Sequence, residues 1–477
     1  MEQSIIGRTE EKAILHKALN SNEAEMISVI GRRRVGKTYL IRTVYKDYIA
    51  FEISGLQNAT GEEQLRNFAN QLRKYSKSKI IIPTPKDWLD AFFILVDYLE
   101  QIETDKKLVV FFDEVPWMAT HKSGFLKGLS YFWNSWAVKQ NIVVVICGSA
   151  ASWMIQKILR DKGGLHNRVT RRIRLQPFTL AETEAFLLNR NIKFQRYQLL
   201  QIYMAMGGIP HYLKEIEGGK SAAQNIDAIC FGENGLLRDE FQSLYPALFK
   251  HSDYHTAIIR ALAAKPNGLT RPDLITSAKI TDSGRISKVL IELEESGFIT
   301  AYNAFGKKKK GKIYRLTDEY SIFYLRFIEP NLSETFGVWT TLSQGQTYKI
   351  WCGYAFENVC LKHIPQIKKA LGISGVYTRS TSFYKKGDDQ SKGTQIDLLI
   401  DRNDRTINLV EIKFYDGTFT ISKDYAQKLR QKVQVFKETT ETKKQVFLTL
   451  ITALGLKPNI HSVGLVDVDL DSAVLFE

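Results

Sequence analysis

Gly31-Arg-Arg-Arg-Val-Gly-Lys-Thr38 decides how this chain is read. It satisfies the pattern G-x-x-x-x-G-K-[ST] at every fixed position. Ahead of it, Glu25-Met-Ile-Ser-Val-Ile30 reads as a buried strand. Behind it, Tyr39-Leu-Ile-Arg-Thr-Val-Tyr45 reads as a helix. Strand, glycine turn and helix start, in that order, are what a phosphate cradle requires. Gly31 and Gly36 let backbone N–H groups curl around the β- and γ-phosphates, and the helix N-terminus adds the positive end of its dipole. Lys37 brings a point charge to the same phosphates, and Thr38 offers a hydroxyl to Mg²⁺. Arg34, inside the loop, is counted with the nucleotide-binding residues.

A second signal lies at Leu108-Val-Val-Phe-Phe-Asp-Glu114. A continuous apolar run ending in acids reads as a buried parallel strand whose C-terminal end faces a site. Asp113 is expected to hold the Mg²⁺ shell, and Glu114 to polarise the attacking water as general base. Asn141-Ile-Val-Val-Val-Ile-Cys-Gly-Ser149 is a third buried strand ending in small polar residues. Leu165-His-Asn-Arg-Val-Thr-Arg-Arg-Ile-Arg174 carries an arginine cluster. Thr179, with Glu182 three residues on, opens a helix with a capping box. Ile5 to Arg8 are weaker nucleotide-site candidates.

Five stretches together resemble the AAA-like P-loop ATPases of archaea and some bacteria, close to the signal-transducing NTPases. They are GRRRVGKT at 31–38, LVVFFDEVPWM at 108–118, ICGSAASWM at 146–154, LQPFTLAE at 175–182 and GGIPHYL at 207–213. The resemblance covers residues 1 to about 240. It implies ATP rather than GTP, and no N-K-x-D-like guanine element is present. It also implies that Ser149 senses the γ-phosphate, although a plain helix cap fits Ser149 as well. Arg168 would act as an arginine finger in a neighbouring subunit of a homo-oligomer, against the alternative of a solvated basic edge.

The chain has 477 residues and a formal net charge of +15, so about three domains and a polyanionic partner are expected. Solubility alone is the plainer reading of that charge. Cys147, Cys230, Cys352 and Cys360 show no C-x-x-C spacing, so reduced thiols in a cytoplasmic protein are expected. No signal peptide is read, and no apolar run approaches the roughly 18–20 residues that span a bilayer. Membrane association is not expected.

Residues 246–318 read as three helices and a β-hairpin, the pattern of a winged helix. Thr270 is the expected cap of the second helix, and Ile286, Val289, Leu290 and Leu293 form one face of the third. Lysines at the hairpin tip, 307–310, would meet phosphates, with Arg285 and Lys288 facing a groove. A spacer or protein-binding role for the same fold stays open. An aromatic connector follows at 319–334.

Residues 335–477 place Glu357 on an apolar helix and Asp397 inside the strand Thr394-Gln-Ile-Asp-Leu-Leu-Ile400. Glu411 and Lys413 stand two apart on Thr406-Ile-Asn-Leu-Val-Glu-Ile-Lys-Phe414. Period-two geometry sends Glu411 and Lys413 to one face, and a hairpin at 401–405 brings Asp397 near Glu411. Buried acids beside a lysine are costly unless they pair or do chemistry. The pattern resembles the PD-(D/E)xK nuclease fold of restriction enzymes and Holliday-junction resolvases, although Gln395-Ile396 stands where a proline precedes the acid. That resemblance implies Mg²⁺ or Mn²⁺ on Asp397, Glu411 and Glu357, with Lys413 acting on the attacking water. It also places Gln427, Lys428 and Gln431 against DNA phosphates. A degenerate fold that binds without cutting remains open. The combination of parts also resembles an archaeal and bacterial architecture whose C-terminal domain is of unknown function.

The expected fold class is therefore α/β. A P-loop NTPase parallel sheet (1–178) and helical lid (179–245) precede the winged helix, connector and α/β restriction-endonuclease-like domain. The expected function is an ATP-hydrolysing, DNA-directed protein with a metal-dependent nuclease site, set in defence or mobile-element maintenance. Double-stranded DNA is the expected partner. The competing reading is an NTP-dependent signalling or transcription switch that binds DNA or a partner without cutting.

Overall fold

The computed structural model describes residues 5–77, 81–160, 163–249, 251–303, 305–306, 312–334, 337–385 and 393–477. The chain divides into two compact units, Met1–Pro177 and Phe178–Glu477.

The first unit is built on five parallel strands: β1 (Glu25–Ile30), β2 (Ile49–Ser54), β3 (Leu108–Asp113), β4 (Ile142–Gly148) and β5 (Arg171–Arg174). Their spatial order is β2-β3-β4-β1-β5. β1 and β4 are buried at every residue, which explains their unbroken apolar runs: a parallel strand covered on both faces has no solvent side on which to alternate. On one face, Phe51, Phe92, Phe112, Phe125 and Trp88 pack into an aromatic core. Helices start where the sequence offers caps. Thr60 and Glu63 form a capping box for the helix Gly61–Tyr75, and Asp87 caps Trp88–Glu100. Because β4 separates β1 from β3, the C-terminal ends of all three strands open on one shared edge.

The second unit begins with helices, and the segment expected as a lid is packed into it. Thr179 and Glu182 form the expected capping box on Leu180–Asn189. Helices Asp253–Ala263, Arg271–Ala278 and Gly284–Glu295 follow, with Thr270 capping the second. Ile286, Val289, Leu290 and Leu293 are the buried face of the third. A small antiparallel sheet comes next: β6 (Leu269–Thr270), β7 (Ile299–Tyr302) and β8 (Ile313–Leu316), in the order β6-β8-β7. The lysine tip, 307–310, lies outside the described residues.

The larger sheet of this unit has the order β13-β12-β11-β10-β9. Its strands are β9 (Thr378–Lys385), β10 (Thr394–Arg402), β11 (Thr406–Lys413), β12 (Gln445–Thr452) and β13 (Val468–Asp471). β9, β10 and β11 form an antiparallel meander, after which β12 joins β11 in parallel. The parallel step needs a crossover, and the helix Lys423–Thr440 supplies it. That helix covers one face through Ala426, Leu429 and Phe436. The helix Gln346–Lys362 packs on the sheet through Phe356 against Phe414, with ring centroids 5.5 Å apart.

Candidate functional site

At the end of β1 the chain turns through Gly31. A side chain there would meet the carbonyl oxygen of Leu175 at 2.4 Å, so only glycine fits beside β5. Arg34 and Gly36 both take left-handed backbone, with φ of 72° and 92°. The loop is thereby wound into the start of the helix Lys37–Val44. This conformation directs N–H groups inward, and a β-carbon at 36 would strain it. The buried Lys37 ammonium donates to the carbonyls of Gly31 (2.9 Å) and Arg32 (3.1 Å). Both are neutral acceptors of the loop itself, which phosphate oxygens can replace.

Thr38 donates its hydroxyl to Asp113 Oδ2 at 2.7 Å, joining the helix start to the end of β3. Asp113 Oδ1 accepts the N–H of Glu114 at 3.0 Å. These two oxygens are the donor types that Mg²⁺ prefers, and they already face each other. Glu114 has φ 48°, a left-handed conformation that costs a non-glycine residue roughly 1–2 kcal/mol. Its carboxylate accepts from the Ser149 N–H (3.0 Å) and hydroxyl (2.8 Å) at the end of β4. The three strand ends thus bring Lys37, Thr38, Asp113, Glu114 and Ser149 to one edge.

Arg168 is not part of that edge. It is exposed and precedes Thr170, whose N–H donates to Met26 O near the start of β1. The length of β1, about 3.3 Å per residue, separates it from its own phosphate loop, so Arg168 does not act on the nucleotide of its own copy.

A site of this construction defines a P-loop ATPase domain. Residues 6–216 match the family described as an ATPase domain predominantly from Archaea. The chain is similar to an uncharacterized protein of Methanocaldococcus jannaschii, 25% identical over 421 residues, covering 86% of this chain and 88% of that one. Among solved structures it is similar to the Walker-type ATPase of Pyrococcus abyssi. Identity there is 18% and the TM-score 0.49, over 68% of this chain and 96% of that one. It is also similar to the Aeropyrum pernix ORC2 protein, at 16% identity and TM-score 0.43, over 72% and 98% of the two chains.

The second unit gathers a different set of charges. Leu398 pairs with Val410, so Asp397 on β10 stands across from Glu411 on β11. Glu411 is 1% exposed and heavily bonded: Tyr425 donates to Oε1 (2.8 Å), Lys432 to Oε2 (2.7 Å), and Lys413 lies 3.0 Å away. Burial works against its ionisation, but Lys413 and Lys432 outweigh burial and hold its carboxyl below the ordinary value. Lys413 moves the other way. Burial opposes its charge, yet Glu411, Asp397 and Glu357 raise its pKa. Asp397 is pushed up to about 7, by burial first and then by the charges of Glu357 and Glu411.

Glu357, on the helix Gln346–Lys362, is claimed by a residue from elsewhere in the unit. Arg315 on β8 reaches it at 2.9 Å, with both side chains buried. Among the described residues no three His, Cys, Asp or Glu side chains converge to hold a metal ion. The set Glu357, Asp397 and Glu411, expected as metal ligands, is therefore divided: Glu357 and Glu411 are neutralised by protein cations. In this conformation the residues do not fit a resident metal.

Arg315, Tyr425 and Lys432 went unnoticed in the sequence. Tyr425 and Lys432 are seven apart on one helix, and that spacing on the helix after an acidic strand was the available signal. Arg315 had none, because its partner is 42 positions away. Gln427, Lys428 and Gln431 are exposed on the same helix. Among the described residues, no helix is long and apolar enough to cross a membrane.

Proposed function

We propose that the chain is an ATP-hydrolysing, DNA-directed switch. The observation that carries this reading is the edge where Lys37, Thr38, Asp113, Glu114 and Ser149 meet. Lys37 and the loop N–H groups bind the phosphates. Thr38 and Asp113 would hold Mg²⁺, which neutralises phosphate charge when bound. Glu114, kept from the phosphates by Ser149 in this conformation, takes the role of base once the nucleotide draws it away. Arg168, at the opposite end of the strands, is offered to the nucleotide of a neighbouring copy. The net charge of +15, with the three helices and hairpin of 253–316 read as a winged helix, supports DNA as the partner. Retention of purified protein on duplex DNA at low salt, with and without ATP, tests the reading. Absence of retention at every salt concentration removes it.

A second reading is favoured by one observation, the placement of Asp397 across from Glu411 with Lys413 two residues on. The order helix, β9-β10-β11 meander, helix and parallel β12 agrees with a PD-(D/E)xK-like fold. In this reading Asp397, Glu411 and Glu357 would hold Mg²⁺ or Mn²⁺ only in another conformation, one that frees the two glutamates from their protein cations, and the ion would supply charge stabilisation for phosphodiester cleavage. Plasmid incubated with ATP and either ion is nicked by the wild type and spared by Lys413→Ala. Intact plasmid throughout leaves the non-cutting switch.

A further inference from the structure

Arg315 and Glu357 join two parts of the second unit. Arg315 lies on β8, in the segment 253–316, and Glu357 lies on the helix Gln346–Lys362, which packs on the large sheet. Their 2.9 Å ion pair is buried, with Arg315 7% and Glu357 8% exposed. The boundary around it is loosely filled. Arg315 lines two cavities, of about 360 and 300 Å³. Both have walls from each part: Leu316 with Tyr354 in the first, Ile313 with Asp397 in the second. Three hydrogen bonds cross the same boundary. Phe305 N–H donates to Ser382 O (3.4 Å), Gln395 Nε2 to Asn267 Oδ1 (3.3 Å) and Asn358 Nδ2 to Leu316 O (3.4 Å). All three are longer than an ordinary N–H···O bond. Phe305, half-buried, also meets Phe436 edge-on, with centroids 5.2 Å apart. A permanent interior is packed to the density of an organic crystal. This boundary, with its cavities and long bonds, is latched by one short ion pair instead.

We propose that the segment 253–316 is a built-in inhibitor of the acid site, with Arg315 standing on Glu357 where a divalent cation would stand. This rests on the second reading above, in which Glu357, Asp397 and Glu411 form a cation site. Their misfit to a resident metal is then a closed state of the site. The guanidinium gives Glu357 its counter-charge while the segment is docked, and it repels any second cation. Once the segment swings off, Glu357 is open to an ion. The chain just after β8 stays anchored, because Glu319 is paired with Lys362 at 2.6 Å, so the segment moves on a tether. Glu411 is governed differently. Its partners Tyr425 and Lys432 sit on the helix Lys423–Thr440, which covers the same sheet and stays with it. The segment therefore controls one acid of the three, through one residue. Stability does not require this pair, since apolar side chains commonly replace a buried ion pair at no loss. What the pair adds is a contact whose separation changes the charge of the site.

The test is titration of the full chain with Mn²⁺, read by electron paramagnetic resonance of the free ion. Every form carries Asp113→Asn and no nucleotide, so that the phosphate loop holds no ion. Arg315→Gln keeps a polar side chain beside Glu357 and removes the charge, and Mn²⁺ binding tightens by about tenfold or more. Phe305→Ser with Gln395→Ala leaves the ion pair intact and loosens the docking, and binding tightens in the same direction. That second form carries the test should Arg315→Gln fail to fold. Adding Asp397→Asn to either form removes the gain, which a merely destabilised chain would not show. Equal Mn²⁺ affinity with and without these substitutions, at a site that Asp397→Asn abolishes, overturns the inhibitor and leaves the cation site standing. A gain from Arg315→Gln with none from the loosened form also overturns it, since the guanidinium would then be a fixed part of the site. No Asp397-dependent binding in any form overturns both the inhibitor and the cation site.

Discussion

At the phosphate loop, Lys37 donates hydrogen bonds to two backbone carbonyls, and Thr38 and Asp113 face each other across 2.7 Å. At the large sheet of the second unit, Glu411 is gripped by Lys413, Lys432 and Tyr425, and Glu357 by Arg315. The first arrangement holds its cation with weak neutral partners that a ligand replaces at little cost. The second neutralises its acids internally, so an incoming cation must displace protein charges that are already paired and buried. Acids that read alike in sequence thus stand in two very different states of readiness. What separates them is which counter-charges the fold delivers.

Four experiments break or sharpen this contrast. The largest effect belongs to the first site. Glu114→Gln preserves the hydrogen-bonding shape but removes the base, and ATP turnover falls by about 10²–10⁴-fold while ATP binding persists. Steady-state hydrolysis and nucleotide titration, run side by side, decide this. A loss of binding equal to the loss of turnover would move Glu114 out of the catalytic role.

At the second site, the corresponding change is one of stability. Arg315→Met leaves Glu357 buried without its partner, at a cost of about 3–5 kcal/mol. Adding Glu357→Leu restores most of it. Denaturant unfolding of the two variants tests whether the pair is an internal neutraliser; equal destabilisation by single and double variants contradicts that.

A third experiment uses pH, and two groups pull in opposite directions. Asp397 titrates near 7 in the folded chain, above its unfolded value near 3.9, chiefly through burial and its acidic neighbours. Its neutral form is favoured by folding, so its contribution is complete below pH 4 and lost as pH rises through 7. His363 is lowered to about 4, mainly by burial. Its Nδ1 donates to Val359 O and its Nε2 accepts the Leu180 N–H, so the ring is held neutral. Its contribution, on the order of 3 kcal/mol, is complete above pH 6.5 and lost as pH falls to 4. Asp397→Asn removes the first slope: the variant melts above wild type at pH 8 and close to it at pH 4. Mn²⁺ that raises the wild-type melting temperature at pH 8 but not at pH 5 would show the acids accepting a metal after all.

The smallest effect is expected at Tyr425→Phe, which deletes one hydrogen bond to the ionised Glu411. With Lys413 and Lys432 still in place, the loss is about 1.5 kcal/mol in a denaturant midpoint. A loss comparable to that of Arg315→Met would mean that the phenol, rather than the lysines, sustains the charge.

The phosphate loop was legible because its parts are local. Gly31, Gly36, Lys37 and Thr38 lie within one turn, and the flanking strand and helix announce themselves by apolar runs. Asp113 and Glu114 were legible for a related reason, since a fully buried parallel strand must place its first acids at its end. Asp397, Glu411 and Lys413 followed from strand periodicity and a short hairpin, both of which fix which side chains share a face.

Sequence alone therefore determined the parallel strands, the phosphate cradle, the helix caps at Thr179 and Thr270, and the pairing of β10 with β11. Tertiary structure alone decided that Ser149 would hold Glu114, that Arg315 would claim Glu357, and that Lys432 would cross to Glu411. The physical reason is range. Backbone geometry and apolar periodicity act over a few residues and leave a mark in the order of the chain. Long side chains instead find partners by packing, and nothing local records which distant charge they will meet.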